Sequence, residues 1–353
     1  MQRWHETIGA IERIDFSLAA GTQDRLDHLT KPQGSLGRLE ELAKQMVEIT
    51  KNEAPKTRNK VIFTMAGDHG IAKEGVSAFP PEVTAQMVCN FLRRGAGINV
   101  LAEHVGARVV VVDMGVAADL HPHPDLIARK IGYGTRNILH GPAMTRDEAI
   151  RSVETGMEVF EAELQRGVDL AGTGEMGIGN TTPSSAIAAV ITGRAVEEVT
   201  GKGTGIDDRT LAHKIDVIKR IIAVNQPDPE DAMDVLHKIG GYEIGGLVGL
   251  ILAAASKRVP VVIDGFISGA AALLACRLEP KAKDYLIAAH CSVERGHKII
   301  LDYLGLEPLL HLDLRLGEGT GAALGMSLVE AAVKILTQMA TFQSASVSER
   351  MDR

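Results

Sequence analysis

The sequence predicts an α/β protein built on a parallel sheet with helices on both faces. Short β-rich apolar runs recur through the middle of the chain, each ending in Gly or Asp, and segments with helical spacing lie between them. Strands that are apolar throughout, rather than alternating, are those buried on both faces, as parallel strands covered by crossover helices must be. A length of 353 residues with 45% hydrophobic content is enough for such a core.

The elements follow in order. Ile8, Ile11 and Ile14, then Leu39, Leu42 and Met46, recur at helical spacing, so the first fifty residues read as helical around a turn at Lys31-Pro-Gln-Gly-Ser-Leu-Gly-Arg38. Four strands are expected at 61–67, 108–115, 168–172 and 259–264, with a weaker fifth at 285–290. Helices are expected at 82–94, 146–164 and 327–339, and the polar residues 346–353 read as a frayed tail.

Composition narrows the function. A net charge of −7 with scattered Lys and Arg, and only 3% aromatic residues, gives no footprint for nucleic acid or an anionic membrane. The longest apolar run, near 247–255, is too short to span a bilayer. Cys89, Cys276 and Cys291 are odd in number and far apart, so a disulfide framework or zinc site is not expected. With no apolar leader at the start, the protein is expected in the cytoplasm.

In open parallel sheets ligands bind beyond the carboxyl ends of the strands. Gly67-Asp-His-Gly70, Gly172 to Thr182, Asp264-Gly265, His290-Cys-Ser292 and Arg315 to Gly321 all fall there and could line one pocket. Gly172, Gly174 and Gly177 spell GxGxxG, the dinucleotide fingerprint, which would make the chain an NAD-dependent dehydrogenase. The signal is weak among 37 glycines, and the acidic residues about 20 positions on, Glu197 and Glu198, follow no strand. A tight strand-to-helix turn is the plain alternative. The preferred reading is a phosphate cradle of backbone N–H groups at a helix start, with Asn180 or Thr181 as cap. A nucleotide-sensing binding protein is the non-enzymatic alternative.

Glu318 lies between Gly317 and Gly319. It reads equally as a first-turn acid complementing a helix dipole and as a general base in a Gly-lined pocket. Glu175, in the other Gly-rich segment, could divide roles with it. Asp68 and His69 read as hydrogen-bonded orienters, since His290 is the only further metal-ligand candidate. Asp264 and Gly265 could hold ribose hydroxyls or start a helix. Lys214 reads as a solvated helix charge or a phosphate partner, and Cys291 as a buried thiol.

Taken in order, Lys31-Pro-Gln-Gly-Ser-Leu-Gly-Arg-Leu-Glu40, Ala66-Gly-Asp-His-Gly70, Val83-Thr-Ala-Gln86, Gly174-Glu-Met-Gly-Ile-Gly-Asn-Thr-Thr-Pro183, Asn225-Gln-Pro227, Val261-Val-Ile-Asp-Gly-Phe266 and Leu314-Arg-Leu-Gly-Glu-Gly-Thr-Gly-Ala-Ala-Leu324 closely resemble the nicotinate-nucleotide:dimethylbenzimidazole phosphoribosyltransferases. The resemblance runs from near residue 20 to about residue 340. It implies a Rossmann-like large domain, here 56–326, and a small helical domain from both chain ends, here 1–55 and 327–345. It also implies a homodimer and a reaction that moves the phosphoribosyl group of nicotinate mononucleotide onto 5,6-dimethylbenzimidazole. By the same resemblance Glu318 is the base and Gln86 faces the benzimidazole. Phe79, Met176 and Leu316 are plausible apolar walls. Gly174 and Gly177 with the other Gly-loop amides would bind phosphate without a metal or other cofactor, and Ser292 is expected to reach the phosphate of a partner subunit's site.

Overall fold

The computed structural model describes residues 2–348. Its centre is a six-stranded, wholly parallel sheet in the order β3-β2-β1-β4-β5-β6. The strands are β1 Lys60–Gly67, β2 Ala107–Gly115, β3 Leu126–Ala128, β4 Leu170–Met176, β5 Val261–Ile263 and β6 Leu286–Ala288. This is the doubly wound order, and the chain reverses direction across the sheet between β1 and β4.

Strand β1 shows how the sequence sets the two faces. Val61, Phe63 and Met65 belong to one apolar core, and Ile62 and Ala66 to the other. Period-two side chains that are apolar on both faces require cover on both. On the first face lie helices Arg146–Leu164, Tyr242–Ser256 and Phe266–Leu278. On the second, helices Arg38–Thr50 and Thr320–Gln338 pack against each other, with Gly97–His104 beside them. The closest crossing joins Arg146–Leu164 to Tyr242–Ser256, where a Cβ on Gly156 would stand 1.9 Å from the Gly246 carbonyl oxygen. Only glycine lets the two helix backbones touch there.

Several boundaries differ from expectation. The first helix stops at Gly9, so Ile11 is buried from a non-helical stretch rather than a helix face. The third expected strand does not end at Gly172. It runs through Gly174 and Glu175 to Met176, paired with β1 along its length. Gly172 and Gly174 are therefore strand residues, and GxGxxG is not the strand-to-helix turn of a dinucleotide site. The three-residue edge strand β3 had no recognisable run.

The last long helix begins at Thr320, seven residues before its apolar periodicity, because a carboxylate distant in sequence caps it. Asp264 accepts from Gly319 N at 3.1 Å, Gly321 N at 2.7 Å and Ala322 N at 3.1 Å. Among the described residues this helix, rather than 247–255, is the stretch long and apolar enough by composition to cross a membrane, and here it packs into the second core. Of the expected frayed tail, Val347 N bonds to Phe342 O at 3.0 Å. Residues 349–353 lie outside the described residues.

Candidate active site

The Gly-rich strand ends converge. At the carboxyl ends of β4, β5 and β6 lies a cavity of about 290 Å³ whose lining includes Phe79, Glu175, Met176, Gly177, Asn180, Thr181, Gly265, Ser292, Leu316, Gly317 and Glu318. Four larger surface hollows lie elsewhere and contain none of these residues.

Glu318 is the best-anchored of these side chains. Three consecutive residues are left-handed, Gly317 at φ +80°, Glu318 at +64° and Gly319 at +99°. A left-handed non-glycine residue costs of order 1–3 kcal/mol and persists only where its surroundings hold it. Thr64 Oγ1 donates to the Glu318 carbonyl at 3.0 Å, and Ile98 N, in the first turn of Gly97–His104, donates to Oε2 at 3.1 Å. A Cβ on Gly174 would lie 2.4 Å from the Glu318 carbonyl oxygen, so strand and loop touch through a bare backbone. The residue is only 4% exposed. Burial raises its pKa, partly opposed by the Ile98 hydrogen bond, and the nearby charge of Asp264 raises it further.

Glu175, at the end of β4, faces the same cavity. Burial pushes its pKa up to about 8, against the lowering effect of the Asn180 amide that donates to Oε2. The carboxylates of Asp264, Glu243 and Glu318 push it further the same way. Glu175 and Glu318 thus share one cavity with Glu294, and Glu175 keeps its proton at neutral pH.

The remaining candidates divide. Asn180 holds the cap position of helix Thr181–Thr192, but its side chain is turned to Glu175 and makes no cap bond. Thr181 Oγ1 accepts from Lys214 Nζ at 2.7 Å. Lys214 is wholly buried rather than solvated, and burial lowers its pKa to about 8 while Glu294 opposes that. Its amine sits one layer behind the cavity wall. Gly174, Gly319 and Asp264 also lie behind the lining, and the oxygens of Asp264 are occupied by the helix amides described above. Phe79 and Leu316 stand at the mouth, 52% and 60% exposed. Gln86 is exposed on helix Val83–Leu92, next to Met87, which lines the cavity with Val83.

Ser292 was expected at a partner subunit's site. It lines the cavity of its own chain, donates to Leu314 O at 3.0 Å and accepts from Glu294 N at 3.3 Å. In its own chain it thus shares a cavity with Glu318. Asp68 accepts from Ala117 N at 2.7 Å, and His69 Nε2 lies 2.7 Å from Glu243 Oε1, so both are bonded orienters at the end of β1. Among the described residues no group of three or more His, Cys, Asp or Glu is placed to hold a metal ion.

Sequence reasoning passed over Val83, Met87, Gly203, Thr204 and Glu294, which also line the cavity, and Arg315 lines it from the expected 315–321 segment. The alternating glycines of Gly201-Lys-Gly-Thr-Gly205 were the one available signal.

A family model described as phosphoribosyltransferase matches residues 11–347. The chain is 59% identical over 344 residues to the nicotinate-nucleotide–dimethylbenzimidazole phosphoribosyltransferase of Geobacter sulfurreducens, covering 98% of each chain. The chain belongs to this phosphoribosyltransferase family. The family's enzyme of the same name from Chloroflexus aggregans is 58% identical over 347 residues, again covering 98% of each. The crystal structure of CobT from Thermus thermophilus, at 43% identity, superposes with a TM-score of 0.90 over 94% of this chain and 99% of that one. Membership makes the chain a transferase of the α/β class, and the dehydrogenase reading is set aside with the GxGxxG turn on which it stood.

Proposed function

We propose that this enzyme transfers the phosphoribosyl group of nicotinate mononucleotide to 5,6-dimethylbenzimidazole, giving α-ribazole 5′-phosphate and nicotinate, a step in building the lower-ligand nucleotide of cobalamin. The observation that carries the reading is Glu318, a buried carboxylate fixed by a left-handed backbone at the wall of a cavity with apolar sides.

The chemistry suits that site. Nicotinate leaves from a pyridinium nitrogen, so the C1′–N bond electrons neutralise the ring and no strong acid is needed. One benzimidazole nitrogen attacks C1′ from the opposite face, inverting β to α. The proton on the other ring nitrogen then becomes acidic, and Glu318 takes it. Burial supports this role by making Glu318 a stronger base than an exposed carboxylate. Glu175, protonated at neutral pH, positions substrate as a hydrogen-bond donor. Phe79, Met176, Leu316 and Gln86 flank the flat base, while Gly177, Asn180, Thr181, Ser292 and Gly265 meet the phosphoribosyl end. Lys214 supports that end through Thr181.

The enzyme works as a cytoplasmic homodimer on this reading, with residues 1–55 and 327–345 as its small helical domain. Incubation with nicotinate mononucleotide and a panel of bases (dimethylbenzimidazole, adenine, phenols), read by mass spectrometry, tests the reaction and identifies the preferred base. Glu318→Gln is expected to keep the fold and lose about two to four powers of ten in turnover. Near-wild-type turnover in that variant with an unchanged melting profile sinks the base assignment.

A further inference from the structure

The cavity offers an anionic substrate little positive charge. Glu294 and Glu318 line it beside the protonated Glu175, and Arg315 is the sole Lys or Arg among the lining residues. Lys214 is withheld behind Thr181. The burden of meeting an anion directly therefore falls on Arg315.

Its backbone is fixed on both sides. Leu314 O accepts from Ser292 Oγ at 3.0 Å and from Val293 N at 3.3 Å, and the Gly317–Gly319 turn follows. Its guanidinium is nearly free. Nη1 donates to Gly203 O at 3.2 Å, and no ion pair forms with a described carboxylate. The other N–H groups remain available, in the planar fork that matches two oxygens of one phosphate.

The location selects which anion. Gly203 is held through its carbonyl by Arg315 and through its N–H by Glu294 Oε1 at 2.7 Å, and a Cβ there would lie 3.3 Å from Lys214 Nζ. Arg315 and Lys214 therefore converge on one glycine, beside Thr181 at the start of helix Thr181–Thr192. Arg315 stands at that end of the cavity beside Glu294, with Lys214 behind Thr181.

We propose that Arg315 is a substrate-binding residue that grips the 5′-phosphoryl oxygens of the ribosyl donor from the Gly203 side of the cavity. The inference rests on the proposed reaction, and its test separates the two. Wild-type enzyme is first assayed with nicotinate mononucleotide and dimethylbenzimidazole. Absence of product removes the reaction itself.

With the reaction established, Arg315→Gln is compared with wild type on three donors. A lost charge-assisted bond should lower kcat/KM roughly ten- to a hundredfold on nicotinate mononucleotide, with Arg315→Lys intermediate. The same loss should persist on nicotinamide mononucleotide, which lacks the carboxylate, and vanish on nicotinate riboside, which lacks the phosphate. Inorganic phosphate as competitor should lose potency at least tenfold in Arg315→Gln, an arm that reads out even if the riboside turns over too slowly. The side chain is exposed, so the melting temperature should hold. A loss that persists on the riboside, disappears on nicotinamide mononucleotide, or leaves phosphate inhibition unchanged overturns the assignment.

Discussion

Replacing Gly174 by Ala tests whether strand β4 sets the position of the Glu318 loop. The added methyl would meet the Glu318 carbonyl oxygen at 2.4 Å, its carbon at 2.8 Å and Gly319 N at 3.0 Å. Ordinary contact begins at 3.4 Å, so strand and loop must part by about 1 Å. All three atoms are backbone, and no side chain can swing aside to absorb the methyl. The strand is held on its other side by β1, through the pairing of Gly174 with Thr64. The loop must therefore move, and the Thr64 hydroxyl bond to the same carbonyl lengthens with it. A misplacement of about 1 Å costs on the order of 100-fold in rate, and overpacking of this kind costs about 1–3 kcal/mol in stability. Steady-state kcat for α-ribazole phosphate formation and a thermal melt measure the two effects together. A folded Gly174→Ala enzyme with wild-type kcat refutes the placement of Glu318 by this strand.

The remaining predictions concern charge and cofactor. The folded protein holds the Glu175 proton up to about pH 8, whereas the ordinary carboxyl releases it near 4.5. The folded state thus binds more protons between those values, and stability falls as pH rises through that window, by at most ~1.4 kcal/mol per pH unit. Glu175→Gln should therefore melt progressively higher than wild type from pH 5 to 8, with the gap level above that. A gap independent of pH contradicts the assigned shift. Exhaustive chelation should leave phosphoribosyl transfer intact, and activity lost to EDTA and restored by Mg²⁺ or Zn²⁺ would reverse that expectation.

The parallel sheet was legible because its strands are apolar on both faces, as the split of Val61, Phe63 and Met65 from Ile62 and Ala66 between two cores requires. Helix Arg146–Leu164 was legible to both its ends because Thr145 and Glu148 form a local capping box and the apolar stripe is continuous. The Gly-rich segments at the strand ends marked most of the cavity lining, since glycine clusters survive in sequence as plain composition. Local patterns, in short range of one another, were enough for these. What the sequence alone could not carry were partnerships between distant residues. The start of the last long helix depends on Asp264, more than fifty residues upstream. The fate of Lys214 depends on Thr181 and Glu294, which turn a helix charge into a buried amine. The continuation of β4 through its glycines depends on pairing with β1. The seat of Ser292 in its own chain's cavity depends on Leu314, which the sequence places 22 residues away. Burial and pairing of polar groups are set by which segments meet, and only the folded chain brings those segments together.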